Sequence, residues 1–230
     1  QEWSPWLIVS LIIQNIDPIL KSSFFILHGT QRIGMHELAT VWTNRKGLLW
    51  IAATALLYAL ILIPFNQVGL TVDGISIRPA SALPVFLGIL FGPAAAWGLA
   101  VGNIAGDFYG SWSPMSIFGF ITNFLSPYLS YLLWHRMMKN QEIRVDKKST
   151  RFFLLVSFVV ILACMLLLAG CGTIFFGRPF ESKFISYFGN NILWALTVGP
   201  VLFWLFLEAA ARNRYVYGRE WERRRTGSDK

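Results

Sequence analysis

The residues best equipped for chemistry in this chain are polar groups set into apolar runs. In "GNIAGDFYG" (102–110), Asn103 and Asp107 stand four residues apart, so on a helix both side chains point the same way. An amide and a carboxylate at that spacing supply hydrogen bonds and one negative charge. Holding the charge at membrane depth is costly unless it is paired or hydrated, so Asp107 needs a partner. Arg78, Ser81, Asn123, Asn190, Asn191 and Trp194 add donors and acceptors in similar apolar settings.

These groups are suited to holding a solute rather than to transforming one. His28, His36 and His135 fall elsewhere, no Ser-His-Asp set assembles with them, and no phosphate-cradling glycine loop is present. His36 and Glu37 are adjacent but lack the spacing of a zinc-binding helix. Cys164 and Cys171 lie seven apart on one apolar segment, where two packed thiols without His or carboxylate neighbours carry no metal or redox chemistry. The expectation is a protein with no catalytic residue, no metal and no cofactor, and therefore not an enzyme.

The elements that must position these residues are membrane spans. The 230 residues are 55% hydrophobic and only 14% charged, a composition of integral membrane proteins. The spans read as 47–68, a short and irregular one over "RPASALPVFLGILF" (78–91), a third from Pro93 to about 110, then 116–134, 152–176 and 184–211. Pro79 and Pro84 shorten the second span, and Gly92-Pro93 makes the reversal into the third. The predicted fold is thus an all-α integral membrane bundle of six transmembrane helices. Residues 1–46 form an N-terminal interfacial or cytoplasmic segment, 47–211 the membrane domain, and 212–230 a basic cytoplasmic tail. The stretch "PWLIVSLIIQNIDPILKSSFFIL" is broken by Gln14, Asn15, Asp17, Pro18 and Lys21 and reads as an amphipathic or docking helix rather than a seventh span or a signal peptide.

The net charge of +8 follows topology, so no nucleic-acid partner is implied. If both ends lie inside, seventeen of the twenty Lys and Arg residues fall on that side, leaving only Arg78, Arg178 and Lys183 elsewhere. Both termini are accordingly expected in the cytoplasm. With that orientation Arg78 begins span two and Asp107 ends span three on the same outer side, able to pair directly or across a ligand. Ser81, Asn103, Asn123, Asn190, Asn191 and Trp194 reach the same half, and together they describe an outer pocket for a small polar or heteroaromatic molecule. Tyr109, Trp112 and Tyr187 read as an interfacial aromatic belt.

Small residues set the helix contacts. Gly98, Gly102, Gly106 and Gly110 recur every four residues along span three, Gly88 and Gly92 give span two a shorter stripe, and Ala55 and Ala59 make a smooth patch on span one. Six spans, a turn-rich loop after the first, a short second span, Ala55-x-x-x-Ala59 and "FGPAAAWGLAVGNIAGDFYG" together resemble the substrate-binding S components of energy-coupling factor (ECF) vitamin transporters, over residues 47–211. On Arg78, Ser81, Ala82 and Leu83, "RPASALP" is similar to the start of span two in S components assigned to queuosine precursors.

The resemblance implies a multi-pass protein of the bacterial cytoplasmic membrane, embedded in the lipid bilayer, that binds a vitamin-like small molecule from outside under a lid at about 69–77. It implies a membrane T component and two cytoplasmic ATPase subunits as partners, with Ala52, Ala55 and Ala59 at the partner interface, and an S component that topples to release its ligand. A second reading keeps the bundle as a structural or assembly subunit of a larger membrane complex, docked through residues 1–45. A permease acting alone is disfavoured, because the sequence shows no clear inverted repeat or matched pair of broken helices.

Overall fold

The computed structural model describes residues 35–72, 75–110, 112–138, 144–213 and 215–217. The chain divides into two units, residues 1–40 and 41–230. In the first, the described part is the short helix α1 (Met35–Thr40), where the Thr40 hydroxyl donates to the Glu37 carbonyl at 3.3 Å. The apolar stretch expected to lie on the membrane or dock, with His28, falls outside the described residues.

The second unit is a helical bundle. Helix α2 (Arg45–Val68) starts where the Asn44 side chain accepts from the Lys46 N–H at 3.0 Å, and stops at Gly69 with φ of 63°, the left-handed turn that glycine adopts without a Cβ clash. A two-stranded antiparallel hairpin follows, β1 (Thr71–Val72) and β2 (Ile75–Ser76), with Thr71 opposite Ser76 and Val72 opposite Ile75. A 3-10 turn (Pro79–Ala82) leads into α3 (Leu83–Phe91), and Gly92 reverses the chain into α4 (Pro93–Phe108). The remaining helices are α5 (Met115–Met137), α6 (Lys147–Phe176) and α7 (Phe180–Arg212).

The six helices α2 to α7 match the six expected spans in order, and three of them, α2, α6 and α7, are long and apolar enough to cross a membrane. At 1.5 Å per residue, the sixteen residues of α4 cover only about 24 Å. The 3-10 turn and α3 together do the work of the short second span. Helix α6 begins at Lys147 rather than 152, because its polar first turn is secured by a capping box in which the Asp146 carboxylate accepts from the Ser149 N–H at 2.7 Å and the Ser149 hydroxyl accepts from the Asp146 N–H at 2.9 Å.

Helix α3 is the centre of the bundle, with every residue from Leu83 to Leu90 buried, and it packs on α5, α4 and α7. Helix α4 lies between α2 and α5, and α6 between α5 and α7. The glycine stripe of α4 faces α2. A Cβ on Gly102 would stand 2.6 Å from the Ala55 carbonyl oxygen, one on Gly110 2.9 Å from the Asn66 Cβ, and one on Gly98 would collide with Thr54. Gly88 likewise lets α3 close on α5, where an added Cβ would lie 2.6 Å from the Pro127 Cα. The outer faces are apolar, with Leu49 on α2 at 69% exposure and Leu205 on α7 at 65%, as lipid contact requires.

The bundle has a hairpin end, which carries the β-strands, the α4–α5 connection and the α6–α7 turn, and an opposite end. At the opposite end the chain after α7 returns to the helices. The Tyr217 N–H donates to the Leu90 carbonyl at 2.7 Å, Val216 is buried, and the Tyr215 ring meets Trp50 at 5.5 Å between centroids. His135 sits there too, its Nδ1 2.9 Å from the Tyr131 carbonyl and its Nε2 3.0 Å from that of Tyr217.

Candidate functional site

Toward the hairpin end, α2, α4 and α5 join their polar side chains into one hydrogen-bonded chain. The Tyr58 hydroxyl donates to Asn123 Oδ1 at 2.8 Å, Asn123 Nδ2 donates to Asn103 Oδ1 at 3.1 Å, and Asn103 Nδ2 donates to Asp107 Oδ2 at 3.2 Å. From the other side Asn66 Nδ2 approaches Asp107 Oδ1 at 3.4 Å and donates to the Gly106 carbonyl at 3.2 Å. All donors run toward the carboxylate, an acceptor-only group when ionised. Tyr58, Asn66, Asn103 and Asp107 are each buried, Asp107 at 6% exposure. The close approach of α2 and α4 over the glycines makes this possible, because it brings Asn66 within reach of the α4 terminus.

A second cluster ties α7 to the start of α3. Asn190 Oδ1 accepts from the Arg78 backbone N–H at 2.8 Å, and Asn190 Nδ2 donates to the Ser81 hydroxyl at 2.9 Å. The Ser81 N–H donates in turn to the Arg78 carbonyl at 3.0 Å. Arg78 thus falls in this second cluster and Asp107 in the first.

Of the residues singled out from sequence, Asn103, Asp107 and Asn123 come together in the first cluster, and Arg78, Ser81 and Asn190 in the second. Asn191 turns elsewhere, donating to the Tyr187 carbonyl at 2.8 Å and lying 3.3 Å from the Met165 sulfur on α6. Trp194 follows Asn190 by one turn of α7, and its indole Nε1 is buried without a hydrogen-bond partner. On α2, Ala52 is exposed, Ala55 half-buried with its backbone against Gly98 and Gly102, and Ala59 buried at 8%. Tyr109 and Trp112 are exposed at the hairpin end at 61% and 58%, while Tyr187 is half-buried near the Arg178 guanidinium.

Sequence reading missed Tyr58 and Asn66. Both sit on a span that reads as plain lipid-crossing helix, yet they share one face with Ile51, Thr54 and Leu62, all buried. The eight-residue spacing of the two polar residues on that face was the available signal.

Asn66 Oδ1, like Trp194 Nε1, is a buried polar atom without a partner. The unsatisfied acceptor of Asn66, beside the Asp107 carboxyl group, is one that a polar molecule would satisfy. Among the described residues no cluster of three or more His, Cys, Asp or Glu is placed to hold a metal ion.

A family model described as QueT transporter matches residues 48–208. No curated protein and no solved structure matches the chain.

Proposed function

This chain belongs to the QueT transporter family, and from that premise we propose that it captures a heteroaromatic queuosine precursor, a 7-deazaguanine base, at the hairpin end for import. The family supports a multi-pass membrane S component, a transport protein to which no catalytic step is assigned. The finer reading is an ECF-type importer, in which a membrane T component and two cytoplasmic ATPases supply the energy and this subunit supplies recognition. The hairpin end then faces outward, both termini lie in the cytoplasm of a bacterium, and residues 69–77 act as the lid.

The observation that carries the reading is the buried Asp107 carboxylate, with the donors of Asn66 and Asn103 converging on it inside the matched region. A fixed set of amides around a carboxylate orients a planar base without new side-chain ordering, which favours tight binding. Asn103, Asp107, Asn123 and Trp194 are assigned to ligand contact, with Arg78, Ser81 and Asn190 forming the wall under the lid. Asn191 is placed at its edge. The exposed face of α2 around Ala52 and Ala55, with Ala59 beneath it, is assigned to the T component.

Native mass spectrometry of the gently purified complex tests this. A retained deazapurine-sized molecule together with T-component and ATPase subunits is the expected result. An empty chain attached to an unrelated membrane complex would overturn the transport reading in favour of an assembly role.

A further inference from the structure

We propose that Asn66 is a ligand-contact residue that selects a hydrogen-bond donor, its Oδ1 accepting an N–H from the bound base; the proposal rests on the binding role just described. Asn66 is 9% exposed, and the orientation of its amide is dictated by its neighbours. Nδ2 faces the Gly106 carbonyl at 3.2 Å and Asp107 Oδ1 at 3.4 Å. Turning the amide over would set Oδ1 against those two oxygens, both acceptors, so the amine must stay where it is. The carbonyl oxygen is thereby forced the other way, where it is sealed from solvent and has no partner.

Packing does not explain the choice of residue. One turn earlier on the same buried face, Leu62 fills the position against Gly106, and the Asn66 backbone and Cβ are already fixed against Gly110. An apolar side chain would fill the space but would take the Asn66 donor away from Asp107 Oδ1 and the Gly106 carbonyl, so the amine end is accounted for within the protein and the carbonyl end is not. An amide here gives one end to the carboxylate and keeps the other for a donor that the protein does not supply, and a buried acceptor of that kind disfavours any ligand presenting an acceptor or nothing.

The test is calorimetric binding to the purified full chain in lipid nanodiscs with three probes: 7-deazaguanine, its analogue with the 2-amino group replaced by hydrogen, and its N1-methyl analogue. The wild-type chain is expected to bind at least one analogue about tenfold more weakly than the parent. In Asn66→Leu, and in Asn66→Ala, which needs no new space, the parent weakens and the ratio between it and that analogue falls to within about twofold. Equal wild-type affinity for all three probes overturns the proposal. So does a wild-type ratio retained in the variants, which would mean that Asn66 only supports Asp107. No binding of any probe by the wild-type chain would instead overturn the function on which the proposal rests.

Discussion

Asp107 shows how one buried charge sets the polarity of its surroundings. Because the carboxylate only accepts, Asn103 must turn its amine toward it, Asn123 must then donate to Asn103, and Tyr58 must donate to Asn123. Asp107→Asn keeps the shape but sets an amine against at least one of these donors. Hydrogen bonds to a charged group are worth about 1.5–3 kcal/mol; because the donors broken here are the protein's own, the variant is expected to melt earlier than wild type, and because the carboxylate orients the amides assigned to the ligand, it is also expected to lose about tenfold or more in affinity for 7-deazaguanine. Unchanged affinity with a lowered melting temperature would make Asp107 a packing element. The carboxylate and its amides were legible in the sequence because polar residues stand out in apolar runs. The second partner was not: Asn66 sits near a helix end, where polar residues are ordinary, and only the α2–α4 contact shows which carboxylate it meets.

At the scale of elements, glycines matter where a neighbouring backbone takes the space of their missing side chain. Gly102→Val would drive a side chain into the Ala55 carbonyl and is expected to cost about 1–3 kcal/mol, read as a lower melting temperature in detergent. Gly170→Ala on α6 has nothing within 4 Å of the added methyl and is expected to be neutral or slightly stabilising. Equal effects of the two would contradict the packing described here. The cap of α6 carries a pH dependence. The Ser149 N–H and hydroxyl hold the Asp146 carboxyl below the usual carboxylate range, so its contribution is complete at neutral pH, where the carboxylate is ionised in both folded and unfolded chains. It disappears as the pH falls through the ordinary carboxylate value and the lowered folded one. Asp146→Ala should therefore melt earlier than wild type at pH 7, with the difference shrinking toward zero in acid; a constant difference would assign the effect to something other than the carboxylate. Hydropathy located all six spans, but it follows lipid contact rather than helix length. It therefore stopped short of the polar first turns at Lys147 and Phe180, which capping and turn residues extend.

For the whole molecule, the proposed orientation is checked by labelling single cysteines, placed in a Cys164→Ala/Cys171→Ala background, with a membrane-impermeant maleimide. Glu181→Cys at the hairpin end should react in intact cells and Lys148→Cys only after permeabilisation; the reverse pattern would invert the topology. The two ends differ in what closes them: at one, Asn190 on α7 ties down the backbone just after the hairpin, and at the other, residues 215–217 fold back under α3 and α5. The short central helix α3 connects them, and its position bears on how the protein is made. Nine residues are too few to hold a place in the bilayer alone. The backbone just ahead of α3 is tied down by Asn190 on α7, 112 residues after Arg78, and its far end by Tyr217, later still. Translation must therefore have passed α7 and Tyr217 before α3 is enclosed, and a nascent chain stopped before α7 would carry this buried helix without a finished shelter. Such a chain is a natural substrate for membrane quality control.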